Sequence, residues 1–176
     1  MSPTHYTIRP ARSQDVPAIV AMVHELAEFE RAPEQCLLTE EQLRAALCAE
    51  QPALYGHIAH DAATGEPLAM SLWFLNFSTW RGVHGIYLED LYVRPAARGL
   101  GLGRAMLTEL ARLCVARGYA RLDWWVLHWN PARDFYHAIG AQAQDEWIPY
   151  RLTGDALRRL AVPEVGAESH DVAQTT

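Results

Sequence analysis

The chain has 176 residues, half of them apolar, and a formal net charge of −6. That length suits one domain with a full core, and no apolar run approaches the roughly 20 residues that span a bilayer. An acidic balance with no basic cluster argues against nucleic acid as a partner.

Thr4–Arg9 reads as a first strand rather than a basic-then-apolar leader, so a cytoplasmic protein with no membrane partner is expected. Ser13 is placed to cap a helix whose Val16, Ile19, Val20, Val23 and Leu26 recur at helical spacing, with Asp15 in its first turn. Thr39-Glu40-Glu41-Gln42 forms a capping box before a second helix carrying Leu43 and Leu47 on one face. Strands are predicted at Ala53–His60, Leu68–Phe77 and Ile86–Val93, with turns at Gly65 and Gly82. A helix follows with Leu102, Met106, Leu110, Leu113 and Cys114 on one face, and Gly118 stops it. Arg121–His128 is a strongly apolar strand candidate, and Asn130-Pro131 opens a helix that ends at Gly140. Ile148–Leu152 reads as a last strand and Asp155–Leu160 as a closing helical turn. Residues 162–176 lack periodicity and predict a disordered acidic tail after a single domain of residues 1–161. This interleaving of strands and helices predicts an α/β fold with a mixed sheet.

Cys36, Cys48 and Cys114 have no metal-like or paired spacing and read as reduced thiols. The eight histidines are scattered without ligating company, so no metal is expected.

The most informative stretch is Tyr87–Val93 running into Arg98-Gly99-Leu100-Gly101-Leu102-Gly103. A strand, a glycine-rich turn and a helix start in that order point unpaired backbone N–H groups and a positive dipole end at one spot. Such a spot binds phosphate. All 15 basic residues are arginine, so a Walker loop with its lysine is excluded, and the glycines sit too far along the chain for a dinucleotide fingerprint.

The pattern R-x-x-G-x-G after a strand resembles the acyl-CoA loop of the GNAT N-acetyltransferases. Glu25–Glu30, Leu38-Thr39-Glu40, Ser78–Gly82, Tyr87–Asp90 and the region from Trp129-Asn130 to Gly140-Ala141 extend the likeness to the spermidine/spermine and thialysine subgroup. It covers roughly Ile8 to Leu160. The resemblance implies a mostly antiparallel central sheet flanked by helices, acetyl-CoA as co-substrate, a small amine as acceptor, and a homodimer. Cofactor contacts are implied for Leu91, Tyr92 and Val93, for Arg98, Gly99, Leu100, Gly101, Leu102, Gly103 and Arg104, and for Asn130 and Phe135. Phe135 also reads as a core residue of its helix.

The chemistry of such a transfer is general. An alkylamine with a pKa of ~10.4 arrives protonated and must lose a proton before it attacks a thioester. The acetyl oxygen gains negative charge and needs N–H donors, and the departing thiolate needs a proton. Glu89 and Asp90 are two carboxylates in an otherwise apolar strand, on opposite faces unless a bulge re-aims one. Buried acids need partners, so a structural pairing with arginine competes with a functional role. The resemblance implies Glu89 as base through water and Asp90 as a binder of the amine. It implies Tyr136 as the acid, from the pattern N-x-x-A-x-x-F-Y-x-x-x-G. Here one residue is missing between Asn130 and Tyr136, although Ala132, Phe135, Tyr136 and Gly140 keep the helical phase.

Trp80 and Trp147 are candidate walls of a cationic amine site, and Asp145 could hold a second positive charge. Trp73, Trp124 and Trp125 read as core. Ser78-Thr79-Trp80 resembles the thialysine type, whereas polyamine-preferring relatives carry an acid near this point. Two alternatives remain: a peptide or antibiotic amine as acceptor, and an acyl-CoA-binding module without catalysis.

Overall fold

The sheet is built from hairpins that the turn glycines announce. Gly65 and Gly82 have φ of +76° and +67°, the left-handed region that a side chain disfavours. They join β2 (Tyr55–Asp61) to β3 (Pro67–Ser78) and β3 to β4 (Val83–Val93), while β1 (Tyr6–Pro10) pairs with β2. The order is β1-β2-β3-β4-β5, antiparallel throughout except that β5 (Leu122–Trp124) runs parallel to β4. A parallel neighbour needs a crossover, and α3 (Leu102–Arg117) provides it. The expected α/β fold, a mixed and mostly antiparallel sheet with flanking helices, is the one observed. The computed structural model describes residues 5–162, so the expected tail lies outside the described residues apart from Val162. The chain divides into two compact units, residues 1–128 and 129–176.

In the first unit, adjacent strand residues such as Ile58 and Ala59 point to opposite faces. Ile58, Met70, Leu72 and Tyr92 pack with Val16, Ile19 and Met22 of α1 (Val16–Phe29) and Leu43 of α2 (Glu40–Leu47). Ala59 and Ala69 pack with Ala97 and with Leu102 and Met106 of α3. Each fully buried Ile, Leu or Met contributes roughly 1.5–3 kcal/mol, so the apolar stripes decide where the helices lie.

Several boundaries differ from the sequence reading. Ser13 does not cap α1. It lies in a short 3-10 turn, Ser13–Asp15, and its hydroxyl accepts from Arg44. Asp15 ties that turn together, accepting from the Arg12 N–H at 2.7 Å and from Arg9 at 2.6 and 2.8 Å. Burial pushes the Asp15 carboxyl up, but the Arg9 guanidinium and the Arg12 N–H outweigh it and hold the carboxyl below its ordinary range. The strand expected over Arg121–His128 is confined to Leu122–Trp124. Trp73 is buried and donates to His57 Nδ1 at 3.2 Å. Trp125 is no core residue: it is 60% exposed and meets Tyr87 edge-on.

In the second unit, α4 (Ala132–Ala138) starts where predicted, with Asn130 Oδ1 accepting from the Ala132 N–H at 2.9 Å. Gly140, at φ +91°, ends it. The predicted last strand, Ile148–Leu152, is not a strand. A strand needs a neighbour for its backbone hydrogen bonds, and this unit holds none among its described residues. The closing turn is a regular helix, α5 (Gly154–Ala161).

Candidate active site

The geometry of the site begins with one extra residue in β4. Leu72 pairs with Asp90 and Trp73 with Leu88, so Glu89 is skipped in the ladder. Such a bulge bends its strand and disrupts pairing. β5 pairs with β4 only at Ile86, Tyr87 and Leu88, which is why β5 is short and why the far edge of β4 opens beyond that point. The bulge also reverses which edge each N–H faces. The Ile86 N–H donates to Arg121 O at 3.0 Å on the β5 side, whereas the Arg94 N–H donates to Leu68 O at 2.9 Å on the β3 side. Alternation from Arg94 turns the N–H groups of Val93 and Leu91 to the edge that β5 has left.

That edge ends in the glycine turn. Gly99 and Gly101 have φ of +83° and +77°, a demand of the turn itself. Gly103 is different. It lies in the first turn of α3 with no positive φ, and a Cβ there would meet nothing within 4 Å. A glycine in a helix costs roughly 0.5–1 kcal/mol against alanine, and neither backbone nor packing requires it here. The first turn of α3 has no side-chain cap. Its N–H groups and the open surface at Gly103 form a cradle suited to a diphosphate. Leu102 faces the core and Leu100 is exposed. Arg98 turns back, its Nε donating to Val93 O at 3.2 Å and its guanidinium lying 5.3 Å from the centre of the Phe29 ring.

The carboxylates gather at the bulge. Glu89 is exposed and Asp90 half-buried. Burial, then the charges of Glu89 and Glu30, push the Asp90 carboxyl up to about 6. Glu30, the residue after α1, is itself pushed up by burial. Its part in this cluster was missed in the sequence, although a signal existed. Glu28 and Glu30 crowd the negative end of a helix dipole, a local rule broken for no structural gain. Tyr92 turns its side chain away from the open edge of β4 and into the core. Its side chain is buried, and burial, then the Glu25 charge, push its hydroxyl above the ordinary range. Glu25 also pairs with Arg94 at 2.9 Å, which ties α1 to the end of β4.

Trp80 is not brought to this cluster by its own strand. It is 89% exposed in the β3–β4 turn, and six residue steps of about 3.3 Å separate Val83 from Glu89. In the second unit, Phe135 and Tyr136 are half-buried with ring centres 5.4 Å apart. Asp145 is exposed, as is Trp147, whose N–H donates to Gln144 O. Among the described residues no group of His, Cys, Asp or Glu is arranged to hold a metal, and no helix is long and apolar enough to cross a membrane.

Residues 19–141 match the Acetyltransferase (GNAT) family. A thialysine N-epsilon-acetyltransferase of Bos taurus is 38% identical, covering 88% of this chain and 96% of that one. An L-ornithine N5-acetyltransferase of Arabidopsis thaliana is 29% identical, covering 87% and 86%. Among solved structures, an integron cassette protein from the mobile metagenome of V. cholerae superposes with a TM-score of 0.74 at 25% identity, covering 89% and 98%. A family match over most of the chain, joined to 38% identity with the Bos taurus enzyme, means that the chain belongs to the GNAT acetyltransferase family and is an N-acetyltransferase.

Proposed function

We propose that this enzyme moves acetyl from acetyl-CoA to the side-chain amine of a small cationic metabolite of the thialysine or lysine type. The observation that carries the reading is the freed edge of β4, which runs from three carboxylates at one end to the glycine cradle at the other. In support, the relatives that match over most of their length include acetyltransferases named for thialysine and ornithine. The turn Ser78-Thr79-Trp80 lacks an acid, which favours a short acceptor over a long polyamine.

Acetyl-CoA, when bound, supplies the thioester. The residues that would hold it are the N–H groups from Arg98 to Arg104 for the diphosphate and those of Leu91 and Val93 for the pantetheine arm and the acetyl oxygen. The uncapped helix and the bare Gly103 fit that group. Asp90 and Glu30 would bind the cationic acceptor, and Glu89 would take the amine proton through water. The resemblance of its helix to the family pattern assigns Tyr136 the return of a proton to the thiolate. Asn130 accepts the Ala132 N–H on its side-chain oxygen at the start of α4.

One observation favours a second assignment of the base. A carboxyl pushed up to about 6 suits proton abstraction near neutral pH, so Asp90 competes with Glu89 for that role. The pH dependence of turnover in Asp90→Asn and Glu89→Gln separates the two.

We further propose a cytoplasmic homodimer. The unpaired thiols Cys36, Cys48 and Cys114 support the compartment. Ile148 and Tyr150, 72% and 91% exposed in a segment that reads as a strand, support the assembly. The test of function is thiol release from acetyl-CoA against thialysine, lysine, diamines, spermidine and peptides. Preference for thialysine or lysine is expected. Preference for peptides or no release with any amine would overturn the reading. Ile148→Asp should convert a sedimenting dimer to monomer.

A further inference from the structure

Two arginines fasten the junction between β4 and the glycine turn to α1, and they do so differently. Arg94 uses charge and hydrogen bonds: it meets Glu25 at 2.9 Å and donates to Pro67 O at 3.0 Å. Arg98 uses its flat face. Its guanidinium lies over the ring of Phe29, the last residue of α1, while its Nε donates to the carbonyl of Val93. In a strand, the N–H and C=O of one residue point to the same edge. The Val93 carbonyl therefore lies on the edge that β5 has left, beside the N–H proposed to meet the donor.

We propose that Phe29 is a positioning residue for the acetyl donor: by holding the Arg98 guanidinium, it fixes the Val93 carbonyl and the entry to the glycine turn. An exposed arginine is otherwise free to sample many rotamers, and a ligand that needs it ordered bears that entropy on binding. Stacking on an aromatic face orders it in advance. Phe29 is 36% exposed, so its ring face is open to the guanidinium. It also immediately precedes Glu30, so the same end of α1 reaches both the carboxylate cluster and the donor turn.

This inference rests on the acetyl-CoA reading above, and equilibrium binding separates the two. Calorimetry with CoA is run on the wild type, Phe29→Leu, Phe29→Tyr, Arg98→Gln and the Phe29→Leu/Arg98→Gln double variant, each with a thermal melt. Phe29→Leu is expected to weaken CoA binding by about 2- to 5-fold, the range of an exposed cation–π contact. Phe29→Tyr, which keeps the face, should stay within about twofold of wild type on the same ground. On the Arg98→Gln background the leucine substitution should add nothing. Unchanged binding in Phe29→Leu overturns the proposal. So does a loss that persists in full without Arg98, or one that tracks a lowered melting temperature in both Phe29 variants. A wild type that does not bind CoA overturns the acetyl-CoA reading itself, and this inference with it.

Discussion

Glu89 is the residue that the β3–β4 ladder skips, and Asp90 is the residue on which pairing resumes, opposite Leu72. The skip leaves Glu89 exposed and Asp90 half-buried next to it. One insertion thus supplies two carboxylates of different character and turns the Leu91 and Val93 N–H groups outward.

Asp90 should weaken the fold that contains it. Its carboxyl titrates near 3.8 in the unfolded chain and at about 6 in the folded one, so the charged form is disfavoured by about 3 kcal/mol at most. A raised carboxylate pKa brings no penalty below pH 4, a growing one from pH 4 to 6, and a constant one above. Asp90→Asn is therefore expected to stabilise the protein at pH 7 by up to that amount, with the gain vanishing below pH 4. Urea unfolding across that range measures it. No gain at pH 7 would contradict the placement of Asp90.

The same pair assigns the base. If Asp90 takes the amine proton, kcat/KM rises with pH through a limb near 6 that Asp90→Asn removes and Glu89→Gln shifts to lower pH, since the Glu89 charge helps to raise that carboxyl. If Glu89 acts through water, Glu89→Gln abolishes turnover at every pH, and Asp90→Asn mainly raises the acceptor KM.

Gly103→Ala separates stability from cofactor binding. A Cβ there meets no atom, and the helix gains roughly 0.5–1 kcal/mol from losing a glycine. The melting temperature should hold or rise while CoA affinity falls by about tenfold or more, as a methyl group intrudes between backbone and diphosphate. Gly101→Ala, at φ +77°, should instead destabilise.

Asp15 is a purely structural acid. Its pair with Arg9 is buried at 5% exposure on the carboxylate side, and removing one partner of such a pair costs about 3–5 kcal/mol. Arg9 is 27% exposed, so the lower end of that range is expected for Asp15→Asn. Because the folded pKa is depressed, this contribution is present above the ordinary carboxylate range and lost as pH falls through the folded value. Denaturation at pH 7 against pH 3 checks it, and turnover per folded molecule should not change.

Much of this was legible in the sequence, for physical reasons specific to each element. The glycine turn, α3 and the Gly118 stop were readable because periodicity, capping and φ preference all act locally. The bulge was readable only as a condition, since a ladder register depends on both strands. Glu30 was missed because its proximity to Asp90 joins residues 60 positions apart. The short β5 follows from a bend in its neighbour, which its own apolar run does not encode. Ile148–Leu152 carries a strand pattern but no described strand partner in its unit, so pattern and structure part there. The cap of α1 was misassigned to Ser13 because Asp15 gains its partner from β1, outside the local window.

The most direct measurement is identification of the product by mass spectrometry after incubation with acetyl-CoA and thialysine. One acetyl group on the side-chain nitrogen is expected for each CoA released. CoA release without an acetylated amine, or acetyl found only on a peptide acceptor offered alongside, would contradict it.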